Sequence, residues 1–147
     1  MASIADNLAE VRARIARAAV TAGRDPKAIV LVAVSKTKPA ALIREAHAAG
    51  QRDFGESYVQ ELERKAGELS DLLDLSWHVI GHVQRNKAKL VARLASTVHT
   101  VDSTRLAREL GKRRGELLDR GRLPVLAELN LGGETQKSGC APADLGE

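Results

Sequence analysis

Aromatic side chains are nearly missing from this sequence: Phe54, Tyr58 and Trp77 are the only three, 2% of the chain. A nucleic-acid binder stacks bases on such rings and gathers its cations on one face. Here 23 basic residues are interspersed with 19 acidic ones for a net charge of +4, so no nucleic-acid partner is expected. Cysteine is reduced to Cys140, which cannot form an internal disulfide and fits a reducing compartment. No apolar run approaches the ~18 residues of a membrane span. The longest, Ala28 to Val34, has the length of a strand. Asp6 and Glu10 interrupt any basic-then-apolar export signal at the amino terminus. The expectation is a cytoplasmic protein without a membrane segment, residues 1–147 forming one domain. Hydrophobic residues at 44% and charged residues at 29% exclude a wholly disordered chain. With so few rings, the core must rest on Ala, Val, Leu and Ile.

What is present is a regular alternation. Ile4, Leu8, Val11, Ile15 and Ala19 form a helical stripe between Ser3, a candidate N-cap, and Gly23, a stop. Ile29 to Val34 is apolar on both parities and β-branched, as in a strand covered on both faces. Pro39 then starts a helix that ends at Gly50. The cycle repeats with strands at Arg52–Gly55, Ser76–Ile80, Thr97–Val101 and Pro124–Asn130. Helices are predicted from about Ser57 to Ser70, Asn86 to Ala95 and Ser103 to Asp119, with another starting at Asp144. The strand starts recur at roughly 24-residue intervals, the pattern of βαβ units on a parallel sheet. Five such units complete a doubly wound sheet of ~150 residues. Eight close a barrel of ~250 residues. Length alone favours the complete five-stranded sheet.

Lys36 follows the first strand in Leu31-Val-Ala-Val-Ser-Lys-Thr-Lys-Pro39. Alternation puts Val32, Val34 and Lys36 on one face, so the amine sits at the strand's carboxyl end, where α/β folds place ligands. Apolar walls there would disfavour the ammonium form, and a neutral amine is what Schiff-base chemistry requires. A solvated loop lysine is the plain alternative. Lys38 shares the parity but lies beyond the strand, beside Pro39.

Ala33-Val-Ser-Lys-Thr-Lys-Pro39, Phe54-Gly-Glu-Ser-Tyr-Val-Gln-Glu61, Trp77-His-Val-Ile-Gly-His-Val-Gln-Arg-Asn-Lys87, and Asn130 with Lys137-Ser-Gly139 fall in one order. Together they resemble the YggS/PROSC family of pyridoxal phosphate homeostasis proteins, along essentially the whole chain. Each motif alone is weak; four in order are specific. The resemblance implies a TIM-type α/β barrel like the alanine racemase N-terminal domain, of which these residues supply about five of eight βα units. It implies pyridoxal 5'-phosphate (PLP) carried as an internal aldimine on Lys36, vitamin B6 homeostasis as the function, and no catalytic residue. PLP could then pass by amine exchange to PLP-dependent apo-enzymes.

Two departures stand out. Ser57 occupies a place the family usually gives to asparagine; it can hydrogen-bond but cannot donate twice. Family members also run well beyond ~200 residues, and in such barrels phosphate is held after strands 7 and 8. The family's phosphate-holding serine and glycine groups, and its arginine facing the pyridine ring, fall outside these 147 residues. The expectation is therefore a truncated chain, an incomplete gene product or a fragment of a longer protein, with two unpaired strand edges, prone to self-association, holding PLP weakly through Lys36 alone.

His78 and His82 are four apart but straddle a strand end and Gly81, so the helical metal-ligand geometry is missing and no metal is expected. His78 reads as a satisfied barrel-lining residue near the cofactor. By resemblance, Lys137 lies close to the cofactor's phenolic oxygen, where a cation would stabilise the phenolate. Asn130, at the last strand's end, either touches the ligand or satisfies loop backbone. The candidate cofactor-binding set is thus Lys36, Ser57, His78, Asn130 and Lys137. Two other functions compete: a racemase-like Schiff-base enzyme, which needs a second acid or base across the substrate, and a basic interaction module built on Arg85–Lys89 and Lys112–Arg114.

Overall fold

Ser3 and Asp6 lock the start of the first helix reciprocally. The Ser3 hydroxyl accepts the Asp6 N–H at 3.1 Å, and the Asp6 carboxylate accepts the Ser3 N–H at 3.1 Å. The structure, a computed structural model, describes residues 2–134 and 136–146. In it α1 spans Ile4–Thr21, followed by β1 (Ala33–Val34), α2 (Ala40–Ala48), β2 (Asp53–Glu56), α3 (Val59–Glu68) and β3 (Ser76–Val79). The remainder is α4 (Ala88–Leu94), β4 (Thr97–Val101), α5 (Thr104–Gly115) and β5 (Val125–Ala127). Short 3-10 turns cover Pro26–Ala28, Arg85–Lys87 and Pro142–Gly146, the last where a helix start is predicted.

All five strands are parallel, and their spatial order is their sequence order, β1-β2-β3-β4-β5. This order decides between the two architectures. Right-handed crossovers that always step the same way lay every helix on the same face. A doubly wound sheet reverses direction at a switch point and covers both faces. The sheet here never reverses, so it is an arc of a βα barrel rather than a complete open sheet.

The helix-covered face holds the core. Ala33, Phe54 and Trp77 lie in register, as do Glu56, Val79 and Val98. Apart from Glu56 they pack with Ile43, Leu62, Val91, Leu106 and Leu110 from the helices. As the composition demands, this core is aliphatic around one tilted Phe54–Trp77 pair with centroids 6.2 Å apart. The opposite, inner face is open at the two edge strands: Val34 is 55% and Leu126 53% exposed. Among the described residues β1 and β5 each pair with one strand only.

Several predicted elements come out shorter, β5 among them, which covers Val125–Ala127 instead of Pro124–Asn130; two do so for identifiable reasons. β1 begins at Ala33 rather than Ile29, because the preceding backbone is held by a side chain. The buried Gln51 amide donates to Leu31 O at 2.6 Å and Asp53 O at 2.7 Å, while its own oxygen accepts from Arg12 of α1. α5 stops at Gly115 instead of Asp119, and Leu118 beyond it is fully exposed. An apolar residue without a core to enter cannot extend a helix.

Candidate functional site

β1 ends in a turn in which Lys38 N–H donates to Ser35 O at 3.0 Å. Lys36 and Thr37 are its central residues, and Thr37 has φ +63, the one non-glycine with positive φ among the described residues. A positive φ at the third position is what a type II turn requires, and glycine normally supplies it. For β-branched threonine it is strained, so something outside the turn must hold it.

The restraint is a buried network on the helix side of the sheet. Ser35 Oγ donates to Glu56 Oε1 at 2.6 Å. Lys65 Nζ, from α3, donates to that same carboxylate oxygen and to Ser35 O, both at 2.6 Å. Lys65 also pairs with Glu61 at 2.8 Å, and Glu61 Oε1 accepts the Thr37 N–H at 2.8 Å. The hydrogen bond from Lys65 holds the Glu61 carboxyl below the ordinary carboxylate range, against a smaller opposing effect of burial. Lys65 and Glu56 are both fully shielded from solvent. Lys36 is thereby bracketed: Ser35 before it and Thr37 after it are both tied to this network.

Sequence reasoning missed these three residues, although a signal existed. β2 alternation puts Glu56 on the Phe54 face, where a charge demands a partner. On α3, Lys65 falls on the stripe of Val59, Leu62 and Leu69, with Glu61 one turn before it.

Lys36 itself is exposed, so the expected shelter of apolar walls is not provided by the described residues. No hydrogen bond or ion pair engages the Lys36 amine among the described residues.

The other candidates sit at successive positions around the arc. Ser57 follows β2 and is half-buried. Its carbonyl oxygen lies 2.1 Å from where a Cβ on Gly81 would stand, so the loops after β2 and β3 touch backbone to backbone only because residue 81 is glycine. Thr100 anchors the same spot by donating to Gly81 O at 2.6 Å. His82 pairs with Asp102 at 3.1 Å.

His78 lies on the inner face in register with Gly55, and both ring nitrogens are engaged: Nε2 with Asp53 Oδ1 at 3.0 Å, Nδ1 with His99 Nε2 at 2.9 Å. Neutral rings satisfy both bonds if His99 donates to His78 and His78 donates to Asp53. Burial, and secondarily the neighbouring His78, push His99 below its ordinary value. His78 is thus the satisfied barrel-lining residue the sequence suggests.

Asn130 and Lys137 close the last loop on itself. Asn130 Nδ2 donates to Glu134 O at 2.8 Å, and Lys137 Nζ pairs with Glu134 Oε1 at 2.5 Å. Gly139, with φ +109, lets the chain pass Asn130 N at a distance where a Cβ would stand 2.7 Å away. Among the described residues no group of three or more His, Cys, Asp or Glu could hold a metal, and no helix is long and apolar enough to cross a membrane.

Comparison with known proteins agrees with this fold. The chain is 52% identical over 145 residues to the pyridoxal phosphate homeostasis protein of Pseudomonas aeruginosa, covering 99% of this chain and 62% of that protein. It is 47% identical over 149 residues to the protein of that name from Escherichia coli K12, covering 100% and 63%. Among solved structures, PipY of Synechococcus elongatus PCC7942 with PLP bound superposes with a TM-score of 0.79 at 43% identity, over 97% of this chain and 60% of that one. The PLP-free form gives 0.81 at 44%, over 97% and 61%. The chain therefore spans less than two thirds of the length of each relative. The model of the alanine racemase N-terminal domain matches residues 2–147. Unreversed parallel strands under a single layer of helices are what that match demands, and the chain belongs to the alanine racemase N-terminal domain family.

Proposed function

We propose that this chain serves vitamin B6 homeostasis by binding PLP covalently through Lys36, as a carrier rather than a catalyst. The observation that carries the reading is the placement of Lys36: an exposed primary amine, without a partner among the described residues, in the turn that follows the carboxyl end of a parallel strand. The PLP-bound PipY structure supports the cofactor, and the names of the Pseudomonas and Escherichia relatives support the role.

The residues present suit the group. When bound, PLP supplies an aldehyde that condenses reversibly with a primary amine. Lys36 offers that amine with no competing carboxylate, whereas Lys65 is consumed by Glu56 and Glu61, and Lys137 by Glu134. Ser57 lies one strand along the rim and His78 on the inner face. Asn130 and Lys137 would join the site by releasing Glu134. Reversible condensation would let the cargo leave by exchange with another amine, including one on a PLP-dependent apo-enzyme.

Equilibrium titration with PLP, followed by visible absorption, tests the reading. Lys36→Met should weaken covalent binding at least tenfold while the far-UV circular dichroism spectrum stays unchanged. Equal binding by the variant would remove Lys36 from the site. The open edges of β1 and β5 further favour self-association. Light scattering should show concentration-dependent assembly, and a monomer at all concentrations would refute that part.

A further inference from the structure

We infer that Glu61, held in place by Lys65, is a positioning residue for Lys36, acting from the helix side of the sheet through the Thr37 N–H. This rests on the reading that Lys36 is the PLP-bearing residue, but its structural half is independent of it.

Three costs converge on the turn. Thr37 carries a positive φ, which is strained in a β-branched residue. Lys65 and Glu56 form an ion pair without solvent, an arrangement that well-packed apolar residues commonly match in stability. Glu56 Oε2, moreover, is buried without a hydrogen-bond partner. Stability alone therefore gives little reason for the cluster. What apolar replacements could not do is grip backbone. Lys65 Nζ holds Ser35 O at 2.6 Å, and it orients the Glu61 carboxylate that holds the Thr37 N–H at 2.8 Å. These bonds fix the residue on either side of Lys36 while leaving its own side chain free. Lys36, between these two anchored residues, is exposed. An unrestrained Lys36 would lose orientation before condensation, and preorganisation is what that loss costs.

The test uses the full chain and two substitutions at the periphery of the network. Glu61→Ala removes the acceptor of the Thr37 N–H but leaves the Lys65–Glu56 pair; Glu61→Gln keeps an acceptor oxygen. Glu61→Ala should raise amide hydrogen exchange at Thr37 at least tenfold and weaken covalent PLP binding about tenfold, with Glu61→Gln restoring both to within about threefold. Unchanged Thr37 exchange in Glu61→Ala would overturn the clamp. Faster exchange with unaltered PLP affinity would overturn the positioning role. If the unaltered chain places no PLP on Lys36, the function proposed above fails, while the exchange measurement still decides whether the clamp exists.

Discussion

Lys65 Nζ lies 2.6 Å from Glu56 Oε1 with no solvent reaching either side chain, although one residue belongs to α3 and the other to β2. The pair joins the helix layer to the strand layer directly beneath the Lys36 turn. Removing one partner strands a buried charge. Lys65→Met should therefore destabilise the chain by about 3–5 kcal/mol in urea unfolding. Adding Glu56→Leu to it should recover at least half of that loss. Additive losses in the double variant would contradict the pairing.

The turn makes a second expectation at Thr37. Glycine there relieves the left-handed strain, worth ~1–2 kcal/mol, but adds ~0.5–1 kcal/mol of chain flexibility. Thr37→Gly should thus unfold within about 1 kcal/mol of the parent. Thr37→Pro fixes φ near −65° and deletes the N–H that Glu61 accepts, so it should cost well over ~1 kcal/mol. Urea midpoints measured side by side check both, and a tolerated proline would contradict the observed turn.

Gly81 is required by space rather than by φ. An added methyl would meet Ser57 O at 2.1 Å and Ser57 C at 2.8 Å, both backbone atoms that cannot rotate away. Gly81→Ala should cost about 1–3 kcal/mol and move the loop after β2, Ser57 included. Denaturant unfolding gives the cost, and amide chemical shifts at Ser57 report the displacement. An alanine variant of parental stability would show that the two loops do not touch.

His99 supplies a pH dependence. Its folded value lies below the ordinary 6.5, chiefly through burial and then through His78, the titratable group bonded to it, whose other ring nitrogen engages Asp53. A depressed histidine favours the folded state above the unfolded value, and that contribution fades as pH falls below 6.5 toward the folded value. The melting temperature should drop between pH 7 and pH 5, and His99→Gln should flatten this slope. Parallel slopes for the two proteins would contradict the assignment.

How much of this is legible in the sequence varies with its physical origin. The N-cap Ser3 and the stops at Gly23 and Gly50 depend on local geometry and are found where the residues suggest, while the reciprocal partner Asp6 emerges only in the structure. The sheet's unreversed order is not readable from periodicity, which is identical in open sheets and barrels; the ordered motifs around Lys36, Phe54, Trp77 and Lys137 decide it. Strand starts fail where a side chain replaces the ladder, as Gln51 does for Leu31. Of the candidate site, the place of Lys36 at a strand end is legible because alternation and chain direction suffice. Its exposure is not, since shelter depends on what stands across the inner face. The Ser35–Glu56–Lys65–Glu61 network spans two strands, a turn and a helix, and only their packing assembles it.

The claim on which the account depends is that the amine at position 36 is the one that takes the cofactor. Substoichiometric PLP added to the 147-residue chain, fixed by borohydride and located by peptide mass spectrometry, measures this directly. The account predicts a single pyridoxyl adduct on Lys36. An adduct on Lys38, Lys137 or any other lysine in preference to Lys36 would contradict it.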